Sequence, residues 1–489
     1  MAKMVNKKED HPENMSFGKS VTTLLSGSTL GMAIGFFAQL LLIHFYLDAD
    51  FGIFATFQAF VMLLSVVVSL RFEDAIALPK NLQGATNVLI LSLFTNLTFC
   101  IILQVIFYFF AAPISFYLKT TSLQEWFWLV PVTTFLSNTV RVLELYLTRI
   151  RSFRQISLSR IVWNIGTSSG QLIGGILQMG TMGLMGGALV GRIFSLINLS
   201  LSVFFPNRSL IWNAFEPKYL VHALRRYQRF AFFAMPAALL NALPTQLIIL
   251  GLAYFFGEAT VGVYDRGYRY LVIPAGLIGN AISSVYLAKA SEALHHNGLD
   301  AVTEFTYRRM LWIMAFPTLA VMLAGPELYA FILQNPHWAI SGQYAQWIAP
   351  WLLFITISSS LTPIFDLLQR QRLDLLFSLG AFACQMLVLW FFGTLGNPLW
   401  AVAAISISGI FLRLIQLGIL FYLAQTPVQY LFSDWIPILF SAIPGLILIN
   451  LSLYLPIWGN VFWGFIVGLL FFGVGFYIYN QKRKPSNSY

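Results

Sequence analysis

Long runs of apolar residues, separated by short polar segments, repeat along almost the whole chain. A helix that crosses the hydrocarbon core of a membrane needs about 20 mostly apolar residues, and fourteen runs have that length. We therefore predict an all-α polytopic membrane protein with about fourteen transmembrane helices. The predicted spans are 20–46, 52–71, 86–112, 125–148, 160–180, 183–204, 231–256, 266–288, 309–333, 343–367, 374–394, 399–423, 435–455 and 459–479.

An internal repeat, offset by about 210 residues, indicates two halves. DFGIFAT (50–56) follows the first span and TVGVYDR (260–266) follows the seventh, which aligns Gly52 with Gly262. Two such lobes around a central cavity are a common transporter architecture. The predicted organisation is a cytoplasmic tail at 1–19, a six-helix N-lobe at 20–204, a basic cytoplasmic linker at 205–230, a six-helix C-lobe at 231–423, a helix pair at 435–479 and a cytoplasmic tail at 480–489.

The composition excludes a soluble enzyme and a nucleic-acid-binding module. Only 10% of the residues are charged and 58% are hydrophobic, whereas about 25% of a soluble domain is charged. With the N-terminus in the cytoplasm, 23 of the 29 Lys and Arg residues fall on the cytoplasmic side, and Lys119, Arg266 and Arg269 fall at outer loops or outer helix ends. This asymmetry predicts that both termini are cytoplasmic. It also indicates that the net charge of +10 reflects cationic loops beside an anionic membrane surface.

We expect neither a cofactor nor a metal site. Cys100 and Cys384 lie inside apolar spans, which favours burial as small hydrophobic residues. His295 and His296 lie in a predicted loop without cysteines. The loops are too short for a catalytic domain, and the first apolar run is too long for a signal peptide. We therefore expect the protein to act within the bilayer.

Two segments resemble bacterial polysaccharide flippases of the multidrug/oligosaccharidyl-lipid/polysaccharide exporter superfamily. In the first segment, 35–80, the likeness consists of a Gln, an acidic-Phe-Gly turn and an Arg-aromatic-Glu-x-Ala-Ile-x-Leu-Pro run. In the second, 262–293, it lies around the eighth span, where the Asp265-Arg266 pair departs from the small or apolar residues expected. The matching residues are Gln39, Asp50-Phe51-Gly52, Arg71-Phe72-Glu73, Ala75-Ile76, Leu78-Pro79, Tyr268-Arg269, Pro274, Ile278-Gly279 and Ala288-Lys289-Ala290-Ser291.

The resemblance implies a transporter of the bacterial inner membrane, not an enzyme. Such flippases move undecaprenyl-pyrophosphate-linked oligosaccharide units from the inner to the outer leaflet, for assembly of O-antigen, exopolysaccharide or capsule. The implied partners are the lipid-linked oligosaccharide, membrane lipids, and a polysaccharide polymerase with other assembly proteins. Coupling to H⁺ or Na⁺ is left open.

Polar residues inside spans are functional candidates, because each is costly to bury in a membrane. Arginine suits bidentate contact with phosphate, and amides suit glycan hydroxyls. The candidate substrate-binding residues are Arg269, Arg266, Arg71, Arg192, Gln39, Asn241, Gln246 and Asn280. The candidate gating or coupling residues are Glu73, Asp74, His44 and Asp366.

Each candidate also has a structural interpretation. Asp265 is available to pair with the arginines near it, and residues 71–74 to form a solvated helix end. Arg192 lies among Gly186, Gly187 and Gly191, which favour close helix packing, so pairing within its lobe is preferred over substrate contact. Arg141 and Glu144, three residues apart, are predicted to pair with each other, and Arg413 is ambiguous.

Other functions remain open. A lipid II flippase also has fourteen helices, and a drug/cation antiporter belongs to the same superfamily. The deep charges are mostly arginines, which favours an anionic substrate over a cationic drug. A membrane glycosyltransferase, suggested by Asp48-Ala49-Asp50, and a polysaccharide polymerase are both disfavoured by the absence of a long outer loop.

Overall fold

The computed structural model describes residues 17–206, 208, 217–294, 298–453 and 459–482, and within them every regular element is helical. His295, His296 and parts of both predicted tails and of the linker lie outside the described residues. The first six long helices pack on one another and form the N-lobe. They are α1 (Phe17–Leu42), α2 (Asp48–Val67), α3 (Leu82–Tyr117), α4 (Leu129–Arg149), α5 (Phe153–Ile176) and α6 (Thr181–Phe204).

A short helix and a π-helical turn lead from the N-lobe into a second packed group, the C-lobe. These are α7 (Pro217–Arg229), the turn Phe230–Ala234, α8 (Met235–Phe256), α9 (Glu258–Ala293), α10 (Leu299–Ile332), α11 (Ala339–Leu361), α12 (Pro363–Leu367), α13 (Gln371–Thr394) and α14 (Pro398–Leu423). The chain ends in α15 (Tyr430–Ser433) and the pair α16 (Trp435–Leu453) and α17 (Gly459–Lys482), which packs on α10. Short 3₁₀ helices lie at Phe72–Ala77, Thr121–Trp126 and Pro336–Trp338.

The described residues form fourteen helices of 19 to 36 residues, one for each predicted span, so the protein is a polytopic membrane protein. Ten helical segments are long and apolar enough by themselves to cross a membrane. Helices α4 and α5 are long enough, but their mean hydropathy is too low for this criterion because they carry many polar residues. On α4, Thr133, Thr134, Asn138 and Thr139 are buried, and Asn96 of α3 donates to Thr139 Oγ1 at 3.0 Å. Such contacts let a polar segment lie inside the lobe.

Helix α9 begins at Glu258, eight residues before the predicted start of its span. With a rise of 1.5 Å per residue, Arg266 and Arg269 lie about 12 and 17 Å along the helix from its first residue. Their predicted location at the outer end of the helix is therefore wrong. The polar Glu258 and the glycine at 262 obscure the helix start in the hydropathy pattern, although residues 258–293 form one continuous helix through Pro274.

The connections between helices lie at two ends of the bundle. The basic end carries most of the Lys and Arg residues of the described connections and contains the described parts of these connections, 68–81, 150–152, 205–206, 208, 217–234, 294, 298, 368–370 and 424–434. The opposite end contains the segments 43–47, 118–128, 177–180, 257, 333–338 and 395–397.

Helices α5 and α6 approach each other along matching glycines: Gly166 faces Gly191, Gly170 faces Gly187, and Gly174 faces Gly183. A Cβ atom on Gly187 would lie 2.3 Å from the backbone nitrogen of Gln171. The repeated small residues let the backbones touch, as in other membrane helix pairs.

Gly187→Ala is therefore expected to destabilise the N-lobe by about 1–3 kcal/mol, because backbone atoms have to move to admit the methyl group. The midpoint of thermal unfolding in detergent measures the effect. Gly186→Ala is the matched control, since nothing lies within 4 Å of a Cβ there. Equal midpoints for the two variants would contradict the tight glycine contact.

Candidate functional site

The two lobes meet at the opposite end, where α2 packs against α8 and α9. The contact is reciprocal. A Cβ atom on Gly52 would lie 1.7 Å from the carbonyl oxygen of Glu258, and one on Gly262 would lie 1.8 Å from the carbonyl oxygen of Asp48. Gly52 and Gly262 are 210 positions apart, and so are Asp48 and Glu258, which is the offset of the sequence repeat. Equivalent helix starts of the two lobes therefore cross with their backbones in contact.

Side chains reinforce this interlobe contact. His337, in the connection between α10 and α11, places Nε2 at 2.7 Å from Asp48 Oδ2 of α2. The ammonium group of Lys119 lies over the ring of Tyr254, 4.7 Å from its centroid. Sequence reasoning missed His337, because nothing near it in the chain indicates Asp48 as a partner. The predicted candidate His44 is exposed in the turn after α1, and its Nδ1 lies 3.3 Å from the carbonyl oxygen of Leu41 near the end of that helix.

Asp265, Arg266 and Arg269 form a cluster of charges on α9, the Asp265 cluster, which lies deeper than the glycine contact. Asp265 accepts hydrogen bonds from Arg266 Nη2 and from Arg269 Nε, the latter at 2.7 Å. Arg266 is only 1% exposed; its Nη1 donates to Gln39 Oε1 of α1 at 2.5 Å, and its guanidinium lies 4.1 Å from the centroid of the Phe51 ring. Arg266 and Gln39 thus bridge the two lobes, and the carboxylate of Asp265 compensates one of the two positive charges.

Asp265 was not among the predicted site residues, although it holds both predicted arginines. The usable signal was its spacing, since it directly precedes Arg266 and lies four residues before Arg269. In the family comparison this residue counted only as a departure from the pattern. It is better described as the residue that orients the two guanidinium groups.

Arg269 differs from Arg266 in having hydrogen-bonding capacity left over. Its Nε is used by Asp265, whereas its two terminal nitrogens have no protein partner among the residues that the structure describes. Its side chain is 31% exposed although it lies far along α9. Gly276, two helical turns further, faces open space, and Asn280 on the same face is exposed. The terminal guanidinium nitrogens of Arg269 and the side-chain amide of Asn280 therefore lie on one face of α9, in a line towards the basic end.

The amides predicted on α8 are not joined to this cluster. Asn241 is exposed, and Gln246 is half-buried and donates to Thr245 Oγ1 at 3.1 Å. Neither makes a hydrogen bond to Arg266 or Arg269 in the described part of the chain. Their assignment to the substrate stays a prediction.

A second charged cluster lies at the basic end, after α2. Arg71 Nε lies 2.9 Å from Asp74 Oδ2, and Arg141 of α4 lies 3.4 Å from Glu73 Oε1 and 3.5 Å from Asp74 Oδ1. The Glu73 side chain is fully buried, and this burial raises the pKa of its carboxyl group, against the opposing effect of Arg141. Arg71 has a left-handed backbone with φ of 60°, an uncommon conformation for a residue other than glycine. The predicted candidates Arg71, Glu73 and Asp74 therefore form one ion-paired group with Arg141, the Glu73 cluster.

The predicted pairing of Arg141 with Glu144 is wrong. Glu144 instead accepts two hydrogen bonds from Arg160 of α5, at 3.1 and 3.2 Å. A spacing of three residues permits a pair on an isolated helix. Here α4 lies between the 3₁₀ segment Phe72–Ala77 and α5, and these neighbours supply better partners on two different sides.

The remaining candidates are dispersed. Arg192 lies over the ring of Trp163, 4.3 Å from its centroid, and has no acidic partner within 4 Å among the described residues. Arg413 Nη1 donates to Gln416 Oε1 at 2.6 Å. Asp366 is exposed at the basic end and accepts from Gln371 Nε2 at 3.4 Å.

Comparisons with known proteins agree with this architecture. A family described as "polysaccharide biosynthesis protein" matches residues 44–339, which include the interlobe contact and the Asp265 cluster. No curated protein sequence matches the chain.

Among solved structures, the lipid II flippase MurJ in an inward closed conformation superposes with a TM-score of 0.71, 15% identity, and coverage of 95% of this chain and 99% of that one. An inward-facing multidrug resistance transporter of the MATE family, in the MOP superfamily, gives a TM-score of 0.63 with 15% identity, over 84% of this chain and 96% of the other. A MOP superfamily transporter from Pyrococcus furiosus gives 0.57 with 15% identity, over 83% and 96%. At such identities the likeness establishes the shared fold.

Proposed function

The chain belongs to the polysaccharide biosynthesis protein family, and on this premise we propose that it is a flippase for lipid-linked oligosaccharides. Its substrate would be undecaprenyl-pyrophosphate-linked repeat units, moved from the inner to the outer leaflet of the bacterial cytoplasmic membrane. The flipped units would supply O-antigen, exopolysaccharide or capsule synthesis, in which a polysaccharide polymerase acts as a partner.

The main support for this proposal comes from Arg269, whose two terminal guanidinium nitrogens have no protein partner among the described residues. A pyrophosphate needs charge-assisted donors in a fixed geometry, and a guanidinium offers two parallel N–H groups. Asp265 orients this side chain through Nε and leaves the two terminal nitrogens available. Asn280, further along the same helix face, supports contact with the glycan in the direction of the basic end.

The charge distribution supports an orientation with the basic end and both termini in the cytoplasm. In that orientation the contact at Gly52 and Gly262 closes the outer side, so the conformation described here would accept substrate from the inner leaflet. Transport would proceed by alternating access, with the outer contact breaking while a contact at the basic end forms. Glu73 and Asp74, ion-paired at the basic end, are the proposed gating residues there, and Asp366 is a further candidate.

The test is the sidedness of lipid-linked oligosaccharides after depletion of the protein. Mass spectrometry identifies the lipid-linked units, and a membrane-impermeant probe reports which leaflet they occupy. Accumulation of complete units facing inward is expected. Complete units on the outer face would instead indicate a polymerase, truncated units a glycosyltransferase, and an unchanged pool a drug/cation antiporter.

A lipid II flippase is the second candidate, favoured by the fold likeness to the lipid II flippase MurJ over 95% of the chain. The same experiment separates the two proposals. Inward-facing lipid II would accumulate in place of repeat units if this second assignment were correct.

A further inference from the structure

An apolar groove of about 400 Å³ lies between α3 and α7. Its walls come from Leu91, Phe94 and Phe99 of α3 and from Leu220, Val221 and Leu224 of α7. Two threonines also line it, but their hydroxyls donate to carbonyl oxygens of their own helix: Thr95 to Leu91 and Thr98 to Phe94. The groove therefore offers a solute only hydrocarbon surface.

The groove is open to the surroundings of the helix bundle. Phe94 is 60% exposed, Val221 48% and Leu224 43%. From Leu91 to Phe99 it runs about 12 Å along the axis of α3. This length fits within one leaflet, since half of the hydrocarbon core is about 15 Å thick. Its dimensions suit a single acyl chain from the leaflet at the basic end.

Positive charge flanks the groove. Helix α7 has no acidic residue, and Arg225 and Arg229 are exposed one helical turn apart. Arg225 follows Val221 by one turn, so its guanidinium lies beside the groove wall. Arg226 lies on another face of α7, with its guanidinium 5.7 Å from the centroid of the Tyr227 ring. A basic amphipathic helix at a membrane surface attracts anionic headgroups.

We propose that this groove and the arginine face of α7 form a binding site for an anionic phospholipid. One acyl chain occupies the groove, and the lipid phosphate binds Arg225 and Arg229. The groove wall also contains Leu70 and Phe72, the neighbours of Arg71 in the segment that carries the Glu73 cluster. A bound lipid thus contacts the segment that we assign to gating, and occupancy of the site is expected to modulate that segment. The site is independent of which substrate the protein carries.

The test uses the purified full chain in detergent and measures lipid binding by native mass spectrometry. Phosphatidylglycerol is compared with phosphatidylcholine of the same acyl chains. Tighter binding of phosphatidylglycerol is expected. In the double variant Arg225→Gln and Arg229→Gln this binding should weaken roughly 30-fold, from about 1 kcal/mol for each arginine near a membrane surface.

Arg226→Gln is the matched charge control and should change binding less than twofold. Thr98→Trp fills the groove from an exposed position and should weaken binding of phosphatidylglycerol while leaving the arginines in place. Equal binding of the two phospholipids, or an equal loss in the control and double variants, would overturn the site. If undecaprenyl phosphate at equal concentration displaced phosphatidylglycerol, the groove would bind the lipid of the substrate. The proposal that a phospholipid occupies it would then be wrong.

Discussion

Gly52→Ala is expected to lower surface polysaccharide strongly while the protein still reaches the membrane. The added methyl carbon would lie 1.7 Å from the carbonyl oxygen of Glu258. Both partners are helix backbone, so the two lobes have to separate to admit it. Overpacking of this kind costs about 1–3 kcal/mol, which shifts the equilibrium away from the state closed at the opposite end by roughly 5- to 150-fold.

Labelling of a cysteine by a membrane-impermeant maleimide measures that shift. Gln39→Cys, in a background with Cys100→Ala and Cys384→Ala, places the thiol directly behind the interlobe contact. Labelling from the opposite end should rise strongly in the Gly52→Ala variant.

Gly262→Ala should reproduce the effect, because the contact is reciprocal. Gly380→Ala is the control, since nothing lies within 4 Å of a Cβ at that helical glycine. Wild-type labelling and normal polysaccharide in both Gly52→Ala and Gly262→Ala would show that the close approach of these helices is not required.

Arg269→Ala is expected to reduce polymer output at least tenfold without lowering the amount of protein. Hydrogen bonds to a charged group contribute about 1.5–3 kcal/mol, and this variant removes the only terminal guanidinium nitrogens of the Asp265 cluster that lack a protein partner among the described residues. Inward-facing lipid-linked units should accumulate at the same time.

Arg269→Lys tests which property of arginine matters. An ammonium keeps the charge but loses the planar fork, so a partial rescue is expected. Arg372→Ala, which removes an exposed arginine elsewhere, is the charge control. Normal polymer output from Arg269→Ala would exclude this side chain from substrate contact.

Most of the helices could be predicted from hydropathy, because insertion into a membrane depends on local apolar composition summed over about 20 residues. The start of α9 could not be predicted in this way. Glu258, Asp265 and Arg266 interrupt the apolar pattern, yet they belong to the helix because their partners come from the other lobe or from α9 itself. The eight-residue error moved both arginines from the helix interior to its end.

The partners of the charged residues were harder to predict. Arg141 has an acid three residues away but pairs with Glu73 and Asp74, about 70 positions earlier. Conversely, the arginines of α9 have their acid within four residues, and the prediction gave pairing with it only as the structural alternative to substrate contact. Spacing along one helix defines which pairs are possible, whereas the packing of neighbouring helices selects among them.

By itself the sequence determined the helical class, the number of long helices and the 210-residue correspondence between Gly52 and Gly262. These features follow from composition and repetition along the chain. Only the tertiary structure decided that the two glycines lie in one contact and that Arg266 donates to Gln39. It also decided that Arg269 donates to Asp265 through Nε while its terminal nitrogens have no protein partner among the described residues. The reason is physical: apolar burial acts through local composition, whereas each hydrogen bond and ion pair requires two particular groups within about 3–4 Å, and folding brings those groups together from distant parts of the chain.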